Sequence, residues 1–464
     1  MLRLYFKNKV RIIFSLTCLA CQLVLPTFSN ANTGGDSTLL EFNITLRERF
    51  EVWDGMNAKN YGDPNGVGSL NDKILFQRIV AGFTFKPTSK IDFAAHIQDS
   101  RAFGWSLRDS EYPELFRVKQ KNTQEPYYTM NPNEEFFEIY DLYFSVKEIF
   151  KGVSLKIGRQ KISFGDKRIF GPGEWGNTGR WTWDAVRLSY RNKNNSLDVF
   201  GGGTKTHDPE KVAIPFTETE HWGGGAYAHI QFGKLAVVEP FYAIKTQGSA
   251  DYIRKQSFSK HWIGTRVFSD EVNRFKYDFT LTQEFGHENG KTINAFGIIG
   301  LLGYQFHGLP AKPTLCLRET YASGGNNDDT RVRTFDPAFG AKDSYYGRMN
   351  ITSWSNLDDR EVVLYLTPSK KFKIEMNYHF FYLPSPDNKT LLGTMKLQAG
   401  KHHLGNEFNF FASYNAGKQF QFVGVFGYFW AGDLQPINGT TAQNSNWFAI
   451  QAFIKLDKEI HAKH

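Results

Sequence analysis

The chain has 464 residues, with 55 Lys and Arg against 47 Asp and Glu for a net charge of +8, and it carries 42 Phe, 21 Tyr and 10 Trp. A chain this aromatic is not disordered, and beyond its first thirty-one residues it has no apolar run of about 20, as a membrane helix requires. What remains is an ordered, strand-rich protein with many aromatic side chains to place.

Residues 1–31 read as an export signal. Arg3, Lys7, Lys9 and Arg11 form a basic start, Ile12 to Leu25 is apolar, Pro26 ends that stretch, and Ser29-Asn30-Ala31 is a small-x-small cleavage site. Cleavage after Ala31 leaves one domain, residues 32–464, with a net charge of +4. That balance argues against a nucleic-acid partner. Cys316 is the one cysteine left, so the mature chain has no internal disulfide.

From Glu41 to Leu456 the hydrophobic period is two. Phe42-Asn43-Ile44-Thr45-Leu46-Arg47 alternates, as do Val153 to Gly158, Phe275 to Thr282 and Phe372 to Phe380. Such segments approach the 9–11 residues of a tilted membrane-spanning strand and exceed the usual 5–6 of soluble sheets. Short connections (Lys86 to Lys90, Lys147 to Gly152, Arg191 to Asn195, Gly233-Lys234, Pro368 to Lys370, Asn415 to Lys418) alternate with long ones. The long ones are Asp54 to Asp72, Ala102 to Glu134, Gly165 to Trp181, Thr204 to Glu220, Gly324 to Tyr345, Ser385 to His403 and Gly432 to Ser445. Trp181, Trp183, Trp222, Trp262, Trp354, Tyr382, Trp430 and Trp447 fall near segment ends, where membrane-interface girdles would place them. No second apolar layer is encoded to cover so much one-sided sheet. The pattern predicts an all-β fold, a transmembrane antiparallel β-barrel of eighteen strands around a water-filled lumen in a Gram-negative outer membrane. Tyr346 to Asn356 belongs to a loop, Trp447 to Leu456 forms the last strand, and Asp457 to His464 trails beyond it.

Catalytic and cofactor signatures are missing. Gly201-Gly202-Gly203 and Gly223-Gly224-Gly225 lie inside strand patterns without a following helix, so they let a curved wall bend or a neighbour approach closely and do not cradle phosphate. Neither Gly-x-Ser-x-Gly nor His-Glu-x-x-His occurs. His402-His403 has no third ligand nearby, and the acidic runs Asp63 to Gly66 and Asn326 to Asp329 lack the closing Glu of a calcium loop. No metal and no cofactor are expected.

One constellation is more specific. Gly158-Arg159-Gln160 is followed by Gly165-Asp166, Arg168, Trp175-Gly176-Asn177-Thr178-Gly179-Arg180 and Asp184-Ala185-Val186-Arg187. Further pieces are Ser100 to Gly104, Ala322 to Gly325, Thr334 to Pro337, Tyr345-Tyr346-Gly347, Leu404 to Phe408 and Gly427 to Trp430. Over nearly the whole mature length the chain resembles the alginate-export family of outer-membrane porins. The resemblance implies an eighteen-stranded monomeric barrel whose Arg- and Lys-rich lumen passes an anionic polysaccharide outward. It also implies lipid and lipopolysaccharide around the wall, the barrel-assembly machinery, and periplasmic export partners.

Parity assigns the lumen face. Arg47 and Arg49 oppose Leu46, Arg187 opposes Val186 and Leu188, Arg266 opposes Ile263 and Val267, and Arg318 opposes Leu315 and Leu317. An Arg facing lipid near the midplane costs about 2–4 kcal/mol, so these face inward, either bracing the wall against Glu51, Asp278, Glu375 and Glu407 or selecting anions. Arg159, Asp166, Arg168, Arg180 and Asp184 flank a loop that carries Trp175 and is expected to fold into the pore. Two other function classes fit the same barrel: a hydrolase with a Ser–His pair in the wall, and a non-conducting adhesin or scaffold.

Overall fold

The computed structural model describes residues 38–55, 71–104, 117–118, 128–129, 133–179, 181–208, 211–248, 257–272, 274–325, 330–341, 345–386, 395–436 and 444–461. The export signal, the acidic runs at 63–66 and 326–329, and Arg180 lie outside them.

Among the described residues eighteen strands form the wall. The first six are β1 Leu39–Asp54, β2 Asp72–Thr88, β3 Ile91–Phe103, β4 Glu135–Phe150, β5 Val153–Lys161 and β6 Thr182–Asn192. Next come β7 Asn195–Lys205, β8 Thr219–Phe232, β9 Ala236–Gln247, β10 Phe258–Val272, β11 Phe275–Glu288 and β12 Lys291–Gln305. The circuit ends with β13 Thr314–Ala322, β14 Leu357–Ser369, β15 Phe372–Tyr382, β16 His403–Asn415, β17 Phe420–Ala431 and β18 Ser445–His461. Each pairs antiparallel with its chain neighbour, and β18 closes on β1 from Leu39↔His461 to Asp54↔Asn446. Closure leaves no sheet edge for another chain to extend.

The period-two pattern sorts side chains as alternation requires. Ile44, Leu188, Val199, Leu281, Leu317 and Ile450 point outward and remain substantially exposed, as a lipid-facing surface is. Arg47, Glu51, Asp198, Glu239 and Glu361 point inward and are buried. Connections at one rim are short, and at the other they are long except between β11 and β12. There Asn289 and Gly290, with φ of 50° and 80°, make a tight hairpin turn whose twist suits the strands.

The described parts of two long connections, 162–181 and 323–356, fold into the barrel and give the interior an apolar core. Phe164, Phe170, Trp181, Phe335, Phe339 and Trp354 of these loops pack with Trp183, Phe200, Tyr227 and Trp262 of the wall. The loops also bond to each other. Gly171 N donates to Phe339 O at 2.9 Å, Phe339 N to Ile169 O at 3.0 Å, and Ala341 N to Lys167 O at 2.9 Å.

Two expectations are corrected here. Trp181, Trp183, Trp262, Trp354 and Trp447 do not form a lipid girdle. They are buried inside, against the folded-in loops, whereas Trp222 and Trp430 face out. Position near a strand end does not fix which face a side chain takes, and the loops supply an apolar surface that these indoles cover. Residues 457–461 are not a tail: β18 continues through His461 because β1 begins at Leu39 and offers a partner along the whole length.

Candidate functional site

Wall glycines allow the loops to settle against the barrel. A Cβ on Gly223 would lie 2.7 Å from the Phe339 ring, and one on Gly225 would lie 2.7 Å from the Phe170 ring. Each aromatic therefore seats over a position where the wall has no side chain.

The far end of the 162–181 loop crosses the lumen and is pinned to β1, β2 and β3. The Arg47 guanidinium donates to the carbonyls of Glu174 (2.8 Å), Trp175 (3.3 Å) and Gly176 (3.0 Å) and to Asn177 Oδ1 (3.0 Å). Arg49 donates to Trp175 O, pairs with Glu51 at 2.6 Å and sits 4.5 Å from the Trp175 ring centroid. Asn177 is fully buried, and its amide nitrogen reaches the carbonyls of Gln77 (3.3 Å), Arg101 (3.0 Å) and Asn133 (2.8 Å). Trp175 packs edge-on against Trp447. The inward fold of this loop follows directly from these bonds.

Other arginines named from the sequence brace the wall. Arg159 is fully buried, with a fork onto Asp184 (2.8 and 2.9 Å) and a further bond to Glu138 (2.9 Å). Asp184 also accepts from Phe216 N and Glu138 from Ala213 N, so this group ties the wall to the 206–218 loop. Arg187 bonds Asp198 (2.9 Å), and Arg266 takes Asp278 with two bonds (2.8 and 2.6 Å) and Glu239 with a third (3.1 Å). Arg318 donates to Glu361 (2.5 Å) and to the Tyr365 hydroxyl (3.2 Å). Asp166 lies 3.2 Å from Arg168, whose guanidinium covers the Tyr345 ring. Glu407, expected to pair with an arginine, instead lies beneath the 323–356 loop and accepts from Met349 N (3.1 Å).

Between loops and wall is a cavity of about 770 Å³. Its lining carries six basic side chains, Arg47, Arg78, Lys161, Lys167, Arg318 and Arg348, against three acidic ones, Asp141, Glu174 and Glu375, so the surface has a cationic excess. Tyr140, Trp175, Tyr345, Tyr365 and Phe411 add aromatic faces. Burial raises the Tyr345 phenol above its ordinary pKa, so it lines the cavity as a neutral donor. Burial pushes the Glu174 carboxyl up as well, but its bond from Lys167 prevails and holds it below its usual range. Of the lumen and loop candidates named from sequence, Arg47, Arg318, Trp175 and Glu375 reach this lining; Arg187 and Arg266 do not. Arg78 was missed, although it shares an inward phase with Phe76 and Val80. It stands opposite Arg47 in the ladder, and among the described residues its one bond is to Gly176 O at 3.5 Å. Arg348 lies in an aperiodic loop, where parity has nothing to say.

The wall does contain a Ser–His pair. Ser259 Oγ is 3.1 Å from His261 Nε2, and the Tyr242 hydroxyl is 2.6 Å from His261 Nδ1. Ser259 sits within the ladder opposite Thr246 and His287, so neighbouring N–H groups serve strand pairing and none is placed as an oxyanion donor.

A family model described as alginate export matches residues 38–448. A comparison with curated proteins finds no match. Among solved structures, the chain is similar to Acinetobacter baumannii OccAB2, with a TM-score of 0.58, 10% identity, and coverage of 90% of this chain and 98% of that one. Pseudomonas aeruginosa OpdK with vanillate gives a TM-score of 0.56 at 10% identity, covering 90% and 99%. The outer membrane protein OprD of Pseudomonas aeruginosa gives 0.55 at 10%, covering 90% and 94%.

Proposed function

Because the chain belongs to the alginate-export family and is an outer-membrane channel, not an enzyme, we propose that its pore passes anionic solutes of the uronate class, steered by the basic lining around Arg47 and Arg78. The observation that carries this reading is the imbalance in the cavity wall, six basic side chains against three acidic. Arg78 adds to it in full, since no carboxylate pairs with it among the described residues. A low-dielectric wall focuses such a field and raises the local anion concentration.

Two sizes of anion fit the reading. Alginate-like polymer is the family's substrate class. The cavity volume, about 770 Å³, falls in the range of about 300–1,000 Å³ typical of small-molecule sites, which favours uronate monomers and short oligomers over a strand of polymer while both loops stay folded in. Vanillate, named with OpdK, is likewise a small carboxylate.

Planar-bilayer recording tests the proposal. At low ionic strength the reversal potential is expected to show anion preference, weakening as salt screens the field over about 10 Å at 0.1 M. Short uronate oligomers are expected to block the small-ion current, and Arg78→Ala to weaken both effects more than Arg187→Ala, because Asp198 already neutralises Arg187. Cation selectivity in the wild-type pore would overturn the proposal, and absence of any conductance would leave a scaffold barrel.

A further inference from the structure

Charge is unevenly placed between the two rims. Eight short turns join the strands at one of them, the periplasmic side of an outer-membrane barrel. Each carries a basic side chain: Lys90 between β2 and β3, Lys151 between β4 and β5, Lys193 between β6 and β7, and Lys234 between β8 and β9. Round the other half they are Arg274, Lys312, the pair Lys370 and Lys371, and Lys418. Not one residue between these strand ends is acidic. Residues 32–464 have a net charge of only +4, so nine bases at one rim are a segregation and not a sample of the whole. The long connections mix signs, as 206–218 does with Asp208, Glu210 and Glu218 against Lys211.

All nine are exposed, and none forms an ion pair among the described residues. Strand residues beside the turns do carry acids. Asp92, Asp198 and Asp457 are taken by Lys147 (2.7 Å), Arg191 (2.7 Å) and Lys455 (2.9 Å), and Glu41 by Lys86. Glu148, Asp270 and Glu271 offset part of the ring and leave a clear excess. The bases also have apolar company. Phe150 (73% exposed) and Leu235 (68%) adjoin Lys151 and Lys234, and the exposed Phe275 and Leu309 accompany Arg274 and Lys312. Leaving apolar side chains of this size in water forgoes the stabilisation of burying them. A base beside an exposed Phe or Leu suits the boundary where phosphate groups meet acyl chains. There the charged end reaches the phosphate while the apolar side chain enters the hydrocarbon.

We propose that this ring of turns binds the headgroups of anionic glycerophospholipids, such as phosphatidylglycerol, in the periplasmic leaflet. The turns recur once every two strands, so their bases match a layer that surrounds the barrel on every side. A globular acidic partner would meet only an arc of them. A soluble anion gathered at the mouth of the lumen would account for the charge but not for the apolar neighbours. Bases near an anionic membrane surface each strengthen attachment by about fivefold, and the effect fades within a Debye length. The ring lies outside the cavity, and the proposal does not depend on the anion reading of the pore.

The test offers the folded barrel in detergent equal amounts of phosphatidylglycerol and phosphatidylcholine, and counts bound lipid by native mass spectrometry. Phosphatidylglycerol is expected to be retained in preference, with the preference shrinking as salt is raised. Lys151→Gln, Lys234→Gln and the double change Lys370→Gln with Lys371→Gln alter exposed positions. They should weaken phosphatidylglycerol binding by about fivefold for each base removed, whereas Lys401→Gln at the opposite rim leaves it unchanged. Free glycerol phosphate is expected to compete weakly, since it brings no acyl chain to Phe150 and Leu235. Equal retention of the two lipids, or retention unchanged in the folded turn variants, would overturn the proposal. So would displacement of the lipid by glycerol phosphate or by a uronate oligomer at matching concentration, which would make the rim a collecting mouth for soluble anions.

Discussion

Arg159 and Arg360 carry the same charge in opposite settings. Arg159 is fully buried between Asp184 and Glu138, so its removal leaves Asp184 dry without an ion-pair partner and Glu138 with Lys205 alone, 4.0 Å away. Arg360, 59% exposed, pairs with Asp358 at the rim. Breaking a buried pair by truncating one partner typically costs about 3–5 kcal/mol, whereas an exposed pair contributes about 0–1 kcal/mol. Urea unfolding of the barrel in lipid vesicles should therefore show a large loss for Arg159→Ala and almost none for Arg360→Ala. Arg159→Lys should recover only part of the loss, since an ammonium cannot reproduce the two-bond fork. A small effect of Arg159→Ala would mean that water reaches Asp184. At this scale the sequence located the charges but not their roles. Arg159 and Asp184 were legible as members of a motif, yet whether they faced solvent, lumen or each other depends on cross-strand register, which one sequence does not print.

The 162–181 loop and the strands beneath it form a matched set. Its Phe170 sits over Gly225, and its crossing segment is held by Arg47 and Asn177. Gly225→Val places methyl groups where the Phe170 ring now lies and should lift the loop, raising single-channel conductance and exposing the loop to protease. Asn177→Ala removes the buried amide that reaches three carbonyls and should also raise conductance, with Arg47 freed to strengthen anion preference. Unchanged conductance in both variants would show that this loop does not limit flow. The strands were legible because alternation over 9 to 17 residues is a strong signal, and several long-loop boundaries agree with it to within two or three residues. The inward fold of the first loop was anticipated from its tryptophans. The second loop and the seating of Phe339 over Gly223 were not, because their partners come from strands and loops far apart in the chain.

At the scale of the whole molecule, the outer face is a continuous apolar surface. Leu188 sits near the middle of β6, flanked by Leu155 and Val199 on neighbouring strands. Leu188→Arg should destabilise the barrel by about 2–4 kcal/mol in vesicles if that height is the bilayer midplane, and by about 0–1 kcal/mol if it lies at an interface. Measured in a series along β6, the cost maps the membrane position of the wall. The seam between β1 and β18 sets the order of events in assembly. β1 is the first strand to leave the export path and β18 the last, and they share sixteen register pairs. Until the final residues arrive, β1 presents an unsatisfied row of backbone donors and acceptors, an open edge to which any other extended chain can add. A product that stops before Ser445, and so lacks β18, would keep two such edges for good. It should be found in aggregates or degraded, however intact its other strands and its pore-lining residues are.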